Sequence, residues 1–246
     1  MDRMLYTAMT GARQIQQAQK LTANNLANIS TGGFRADLAA MRSMPLFGDG
    51  LPTRVFAMTE KAGVDFTPGS LVTTGRELDI AINGDGWIAV QGRDGREAYT
   101  RAGALEINTA GQLITAAGLP VLGDNGPINV PPAAQVVIGK DGTLSIVPRE
   151  STANDVTQVD RIKLVRPPLA DLVKGADGLF RMRSGRQAEA DAAVEVVAGT
   201  LETSNVNAAS ELVNMIELAR QFEMQVKLMR SAEENEQRAA RILQLS

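Results

Sequence analysis

The sequence predicts an α+β fold, with discontinuous, coiled-coil-like long helices at the two chain ends around a mainly antiparallel β domain. Three observations carry this. All ten prolines lie between Pro45 and Pro168. From Leu201 to Ser246 there is neither Pro nor Gly, and before Gly32 the only glycine is Gly11. Both residues break helix interiors, so their distribution marks helical ends and a turn-rich middle. Between those ends, short apolar runs alternate with Gly-containing turn signals. The expected division is 1–31 and 201–246 as one discontinuous helical assembly domain, 32–75 as an extended connecting arm, and 76–200 as a β-rich outer domain.

The C-terminal helix has the clearest period. Leu212, Met215, Ala219, Phe222, Val226 and Met229 are spaced 3, 4, 3, 4, 3, an apolar seam held for about three heptads. Glu233 and Glu236 then take seam positions before Ala240 and Leu243 resume it. Glu223 to Lys227 and Glu234 to Arg238 are i,i+4 pairs, each worth roughly 0.2–0.5 kcal/mol. Ser204 or Asn205 is placed to cap the start. A helix over about 205–243 would be roughly 58 Å long, too long for the core of a compact domain of this size.

The N-terminal helix is softer. Leu5, Ala8, Ala12 and Ile15 fall at 3- and 4-residue spacing, followed by Ala18, Leu21, Ala23 and Leu26. Alanine permits close helix approach but buries little area, so such a helix is marginal alone and needs a partner. One long helix and one Ala-rich helix cannot bury each other's faces fully, which points to burial between chains.

The middle reads as short strands. ELDIAI (77–82) alternates apolar and polar residues, and GDGWIAV (84–90) starts another strand. Arg93-Asp94-Gly95, Ala110-Gly111, Asp124-Asn125-Gly126 and Lys140-Asp141-Gly142 signal tight turns. Spacing of roughly 8–12 residues suggests a barrel-like or sandwich-like antiparallel fold. Residues 38–75 scatter Pro, Gly and Met without a period.

Composition excludes several functions. There is no cysteine and no histidine, which removes disulfides, Cys/His zinc sites and His-based acid–base relays. Aromatics are 4% and net charge is −3 with no basic block, so nucleic-acid binding lacks both stacking platforms and electrostatic support. No run of 18 apolar residues is present. The N-terminus lacks the long apolar stretch of a signal peptide, so the expectation is either retention in the cytosol or export by a route that reads no cleaved signal.

Short patterns with chemical overtones fall to turn readings. Gly139-Lys140-Asp141-Gly142-Thr143 lacks the earlier glycine a phosphate loop requires. Asp124-Asn125-Gly126 has no following acidic ligand at calcium-loop spacing. Asn28-Ile29-Ser30 is formally a glycosylation sequon but reads as helix-end polarity. No catalytic residue, cofactor or metal site is expected. Two other functions compete with an assembly role. One is a β-domain binding module with Trp87 as its platform, although burial suits that residue better. The other is a carboxylate-only hydrolase, for which no pair of acids stands out.

Several motifs then recur in order across about 200 residues. Leu21-Thr22-Ala23-Asn24-Asn25-Leu26-Ala27-Asn28 is followed by Thr31-Gly32-Gly33-Phe34. Thr74 to Trp87, Tyr99-Thr100-Arg101-Ala102-Gly103 and Gly111-Gln112-Leu113-Ile114 come next, then Ser204-Asn205-Val206-Asn207 and Arg220-Gln221-Phe222-Glu223. In these the chain resembles the axial proteins of the bacterial flagellum, the rod and hook group. That family usually has Thr-Pro-Gly-Phe where this chain has Gly32, which implies a more flexible turn. Tyr6-Thr7-Ala8-Met9, Gly86-Trp87-Ile88-Ala89-Val90 and Arg220 to Met224 resemble proximal-rod members more than distal-rod members; a distal-rod-type paralogue is the alternative.

The resemblance implies a structural, non-enzymatic subunit whose helix pairs pack with those of neighbouring subunits into a tube, the β domain facing outward. The implied partners are copies of itself, other proximal and distal rod proteins, and the flagellar type III export apparatus. The implied place is the rod crossing the periplasm, where the tube transmits torque. Termini that order only on assembly would keep the chain monomeric until it reaches the growing tip. The implied assembly interface is Leu5, Ala8, Ala12, Ile15, Leu21, Asn24, Asn25, Leu26 and Asn28 together with the C-terminal seam. Within it the asparagines satisfy backbone groups between close-packed helices. Gly32 and Gly33 would let the chain leave the tube sharply, with Phe34 anchoring that exit.

Overall fold

A computed structural model describes residues 3–45, 55–148 and 156–244. It divides into two compact units. One comprises residues 1–29, 36–65 and 206–246, and the other 30–35 and 66–205. The α+β class is observed, with a helix near each end and, among the described residues, only antiparallel strand pairings between named strands.

The first unit pairs helix α1 (Arg3–Ala27) with helix α2 (Ala208–Gln244) and adds a ribbon of two strands, β1 (Asp37–Pro45) and β2 (Val55–Val64). The buried face of α1 is Ala8, Ala12, Ile15, Ala18, Thr22 and Asn25. These positions recur every three or four residues, as one face of a 3.6-residue helix must. Gly11 lies against the Gln225 side chain, and Asn25 bonds Glu211, so the helices run antiparallel. Carried on, that register puts Arg3 opposite Glu233. Glu233 is the first of the charged seam positions, with Glu236 the next. Of those, Glu233 is exposed, and the side chains of Glu236, Ala240 and Leu243 lie outside those described.

Two features of the first unit differ from expectation. Residues 37–64, read as an arm without period, hold a paired ribbon with Asp37 opposite Val64 and Pro45 opposite Val55. A two-stranded ribbon buries little on either face, so it leaves no alternation to read; residues 46–54 are outside the described set. The cap of α2 is Asn207, whose Oδ1 accepts the Ser210 amide at 3.1 Å, rather than Ser204 or Asn205. Residues 203–205 are already committed: the Thr203 amide donates to Ser70 O, and Asn205 Nδ2 donates to Thr67 O.

The second unit gathers its strands into several small antiparallel sheets around one core. Its largest sheet runs Leu164–Val165, Trp87–Gln91, Glu97–Thr100, Phe180–Met182, Leu172–Lys174. A three-stranded sheet joins Ala133–Ile138, Thr143–Pro148 and Thr157–Arg161. Ile80, Ile88, Val90, Leu105, Leu113, Val121, Ile128 and Leu144 are fully enclosed in the core. Both faces of Ile80–Asn83 and Trp87–Gln91 are covered, so these strands are buried nearly throughout, as a continuous apolar run requires. ELDIAI enters its strand only at Ile80; Asp79 makes an isolated bridge to Ala104. The turns at 93–95 and 140–142 are hairpin loops closed by glycines with φ of 75° and 81°. A third loop of the same form, Gly175-Ala176-Asp177-Gly178, is made by the same backbone bonds and carries the same aspartate-to-amide contact.

Candidate functional site

The expected interface residues occupy distinct places on the helix pair. Ala8, Ala12, Ile15 and Asn25 are buried in the first unit; Leu5, Leu21, Leu26 and Asn28 are half-buried, and Asn24 is exposed. On α2, Met215, Phe222, Val226 and Met229 are half-buried, whereas Leu212 is 49% exposed and Ala219 is exposed. Leu218 takes an inner position that the heptad reading did not include. A straight helix drifts by about 20° per heptad against a 3.5-residue repeat, so one seam cannot face one straight partner throughout. A second apolar stripe remains on α2: Leu212, Val213, Ile216, Met224 and Leu228 are all exposed, Ile216 by 55%.

Asn25 is the polar fixture of the first unit. Its Oδ1 accepts the Asp37 amide at 2.9 Å, and its Nδ2 donates to Asp37 O and to Glu211 Oε1, both at 3.0 Å. One side chain thus joins α1, the start of β1 and the first turn of α2. Asn28 closes α1 instead, through its amide and its side-chain nitrogen, both donating to Asn24 O.

The Thr-Gly-Gly-Phe turn belongs to the second unit. The Phe34 amide donates to Thr31 O, and Gly33 sits at φ 67° while Gly32 is not left-handed. That combination is a type II turn with Gly32 first and Gly33 second, the positions where Pro and Gly are favoured. A Cβ on Gly33 would lie 2.3 Å from the Arg101 carbonyl carbon, whereas one on Gly32 would lie 3.3 Å from Glu202 O. The Lys174 ammonium stands 3.8 Å from the centroid of the Phe34 ring, a cation–π contact.

Next to the turn is a cluster that sequence reasoning missed. Arg35 and Glu202 form an ion pair with both side chains 1% exposed. The other carboxylate oxygen of Glu202 takes Arg101 Nη1 at 3.0 Å, and Oε1 also accepts the Gly69 amide at 2.9 Å. Arg101 Nη2 donates to Gly84 O at 2.8 Å, and its guanidinium carbon lies 5.4 Å from the Trp87 ring centroid. Burial pushes the Arg101 pKa down, and Glu202 opposes that shift. Among the described residues, Arg35 Nε and Nη1 and Arg101 Nε have no hydrogen-bond partner. Two arginines on one carboxylate is an expensive arrangement to bury. No periodicity marks it; an Arg and a Glu so far apart in sequence look like surface charges.

Trp87 is 3% exposed and packs with Phe66 and Phe180, the latter at 4.5 Å between centroids. A buried indole of this kind fills the core and offers little platform to a ligand. A groove of about 600 Å³ along Asn108, Gly111, Asn129, Pro131 and Pro132 is lined only by neutral residues, and so supplies no general acid or base.

Comparison with known proteins bears on these surfaces. Residues 5–35 match the family model for flagella basal body rod protein, and 81–146 that for the flagellar hook protein FlgE/F/G D1 domain. Residues 197–242 match flagellar basal body rod FlgEFG protein C-terminal. Helical ends around a β-rich unit, with these matches in this order, define an axial protein of the flagellum. The Escherichia coli flagellar basal-body rod protein FlgF is 45% identical over 252 residues, covering 100% of both chains. The Caulobacter vibrioides FlgF is 34% identical with 93% of both covered, and the Bacillus subtilis FlgG 31% identical with 95% of this chain and 96% of its own covered. The chain belongs to the flagellar basal-body rod protein family, and within it resembles FlgF more than FlgG.

Proposed function

We propose that the chain is a structural subunit of the proximal part of the flagellar rod, with no catalytic role. It assembles with copies of itself and with other rod proteins into a helical tube that carries torque. Family membership supports the structural role. The observation that carries the assembly surface is the second stripe of α2, Leu212, Val213, Ile216, Met224 and Leu228. That stripe stays exposed while the other side of the same helix packs on α1. An exposed row of large apolar side chains on one helix, interrupted here only at Arg220 along the i,i+4 line, suits a protein interface. In this reading the helices pack as in a coiled coil, with knobs from neighbouring chains entering the second stripe. The division drawn from sequence stands as a proposal in outline, with helical ends for assembly and a β-rich middle outward; its bounds (1–31, 32–75, 76–200, 201–246) are redrawn so that 30–35 and 66–205 go with the β-rich unit. Delivery by the type III export apparatus and a position within the periplasm complete the proposal.

The test uses cells that lack the native copy. Ile216→Asp places a charge on the stripe and should abolish motility and remove the protein from purified basal bodies, with the isolated chain folded as before. Motile cells with normal basal bodies would overturn the stripe as the assembly surface.

A further inference from the structure

The β-rich unit holds residues 30–35 by a set of contacts that together make a recognition site for a short peptide. Glu202 O accepts the Gly33 amide at 2.8 Å. The Arg101 backbone lies so close to Gly33 that only a residue without Cβ fits. The Lys174 ammonium covers the Phe34 ring and also donates to Arg35 O at 2.7 Å. The Asn205 amide donates to Phe34 O at 3.3 Å. The Glu202 carboxylate takes the Arg35 guanidinium. Each of three successive residues is therefore read by a different feature: the absence of a side chain at 33, an aromatic ring at 34 and a guanidinium at 35. The type II turn presents all three in one rigid conformation.

From this geometry we infer that the β-rich unit carries a binding slot for a Gly-Phe-Arg turn, which the chain's own residues 30–35 occupy. The slot is made by Glu202, Lys174, Asn205 and the Arg101 backbone, all between residues 66 and 205, whereas its occupant comes from a separate stretch of the chain. Slot and occupant are thus distinct in sequence, as a receptor and its peptide are. Pairing through a buried charge adds selectivity, because an occupant without Arg35 leaves Glu202 facing only one guanidinium, with some of its hydrogen-bonding capacity unmet. The inference stands apart from the rod reading and survives if that reading fails.

The experiment replaces residues 30–35 of the full chain by alternating Gly and Ser, which empties the slot without shortening the connection. A blocked synthetic peptide with the sequence of residues 30–36 is then titrated in. Expected are saturable one-to-one binding and a tenfold or greater recovery of amide protection at Gly69, Thr203 and Asn205. The peptide carrying Arg35→Met should bind at least tenfold more weakly. The unaltered chain, its slot filled, should bind neither. A folded substituted chain that ignores the peptide, or equal binding to the unaltered chain, overturns the inference. If the substituted chain folds only when refolded with peptide, the inference is upheld. If it fails to fold even then, the inference falls.

Discussion

Arg35 and Glu202, 167 residues apart, meet as a buried ion pair that also engages Arg101 and the Gly69 amide. Removing Glu202 leaves two buried guanidiniums unanswered, whereas removing Arg35 leaves Glu202 paired with Arg101 but with part of its hydrogen bonding unmet. Arg35→Met is expected to destabilise the β-rich unit by about 1–3 kcal/mol, read as a lower denaturant midpoint for Trp87 fluorescence. Combined with Glu202→Gln, it should cost less than the sum of the two changes, since the first has already broken the shared contact. Additive costs would mean that the two side chains do not cooperate.

The two glycines of the turn should answer differently to substitution. Gly32→Pro suits the first central position of a type II turn, and among the described residues no hydrogen bond uses the Gly32 amide. It should hold stability or raise it by about 0.4–1 kcal/mol through the unfolded state. Gly33→Ala puts a methyl group into the Arg101 backbone at a left-handed φ and should cost about 2 kcal/mol or more. Equal thermal midpoints for the two variants would refute the turn assignment.

Asn25→Ala removes three hydrogen bonds at once from the helical unit. The expected loss is about 1–3 kcal/mol, since the Glu211 and Asp37 groups it served are partly buried. Far-ultraviolet circular dichroism should show the helices melting earlier while Trp87 fluorescence holds its midpoint. A common shift in both signals would show that Asn25 acts beyond its own unit.

Opposite faces of the helix pair can be separated by charge. Ile15→Asp buries a carboxylate against α2 and should lower helix content in the isolated chain. Phe222→Asp, on the half-buried face of α2, should do so to a lesser degree. Ile216→Asp should leave helix content unchanged. If the Ile15 and Ile216 variants lose equal helix content, the exposed stripe is already packed in the single chain.

Tyr99 offers a test by pH. Its hydroxyl donates to Glu97, which Lys163 also holds, and accepts the Ala188 amide at 2.7 Å. Burial raises its pKa from 10 to about 12, with the nearby Glu97 adding to the rise and the Ala188 amide opposing it. Between those values the unfolded chain has lost this proton and the folded chain keeps it, so unfolding is favoured as pH rises. The contribution is full below pH 10 and fades through about pH 12, by some 2–3 kcal/mol in all. Absorbance at 295 nm should show a late tyrosine transition that Tyr99→Phe removes.

Much of this was legible in local pattern. Proline and glycine placement bounded the helices because backbone restriction acts locally, and the Asp-Gly turns were readable for the same reason. Glu233 and Glu236 stood out as charged interruptions of the apolar seam, because heptad spacing is itself a local pattern. The outward turn of Leu212 and the inner place of Leu218 were hidden, because periodicity gives a face and not the angle at which a partner meets it. Asn207 replaced the expected cap since distant residues 67–70 had claimed 203–205. The Arg35–Glu202–Arg101 cluster was invisible because charge pairing across such separations leaves no periodic trace.

The β-rich unit is not a continuous length of chain: six of its residues, 30–35, precede the ribbon and the rest follow it. A fragment cut out by linear order, 66–205, would begin life with Glu202 buried and half its salt bridge left behind in the discarded piece. Dissecting this protein by sequence position therefore damages the very unit to be isolated; the scissors have to follow the electrostatics.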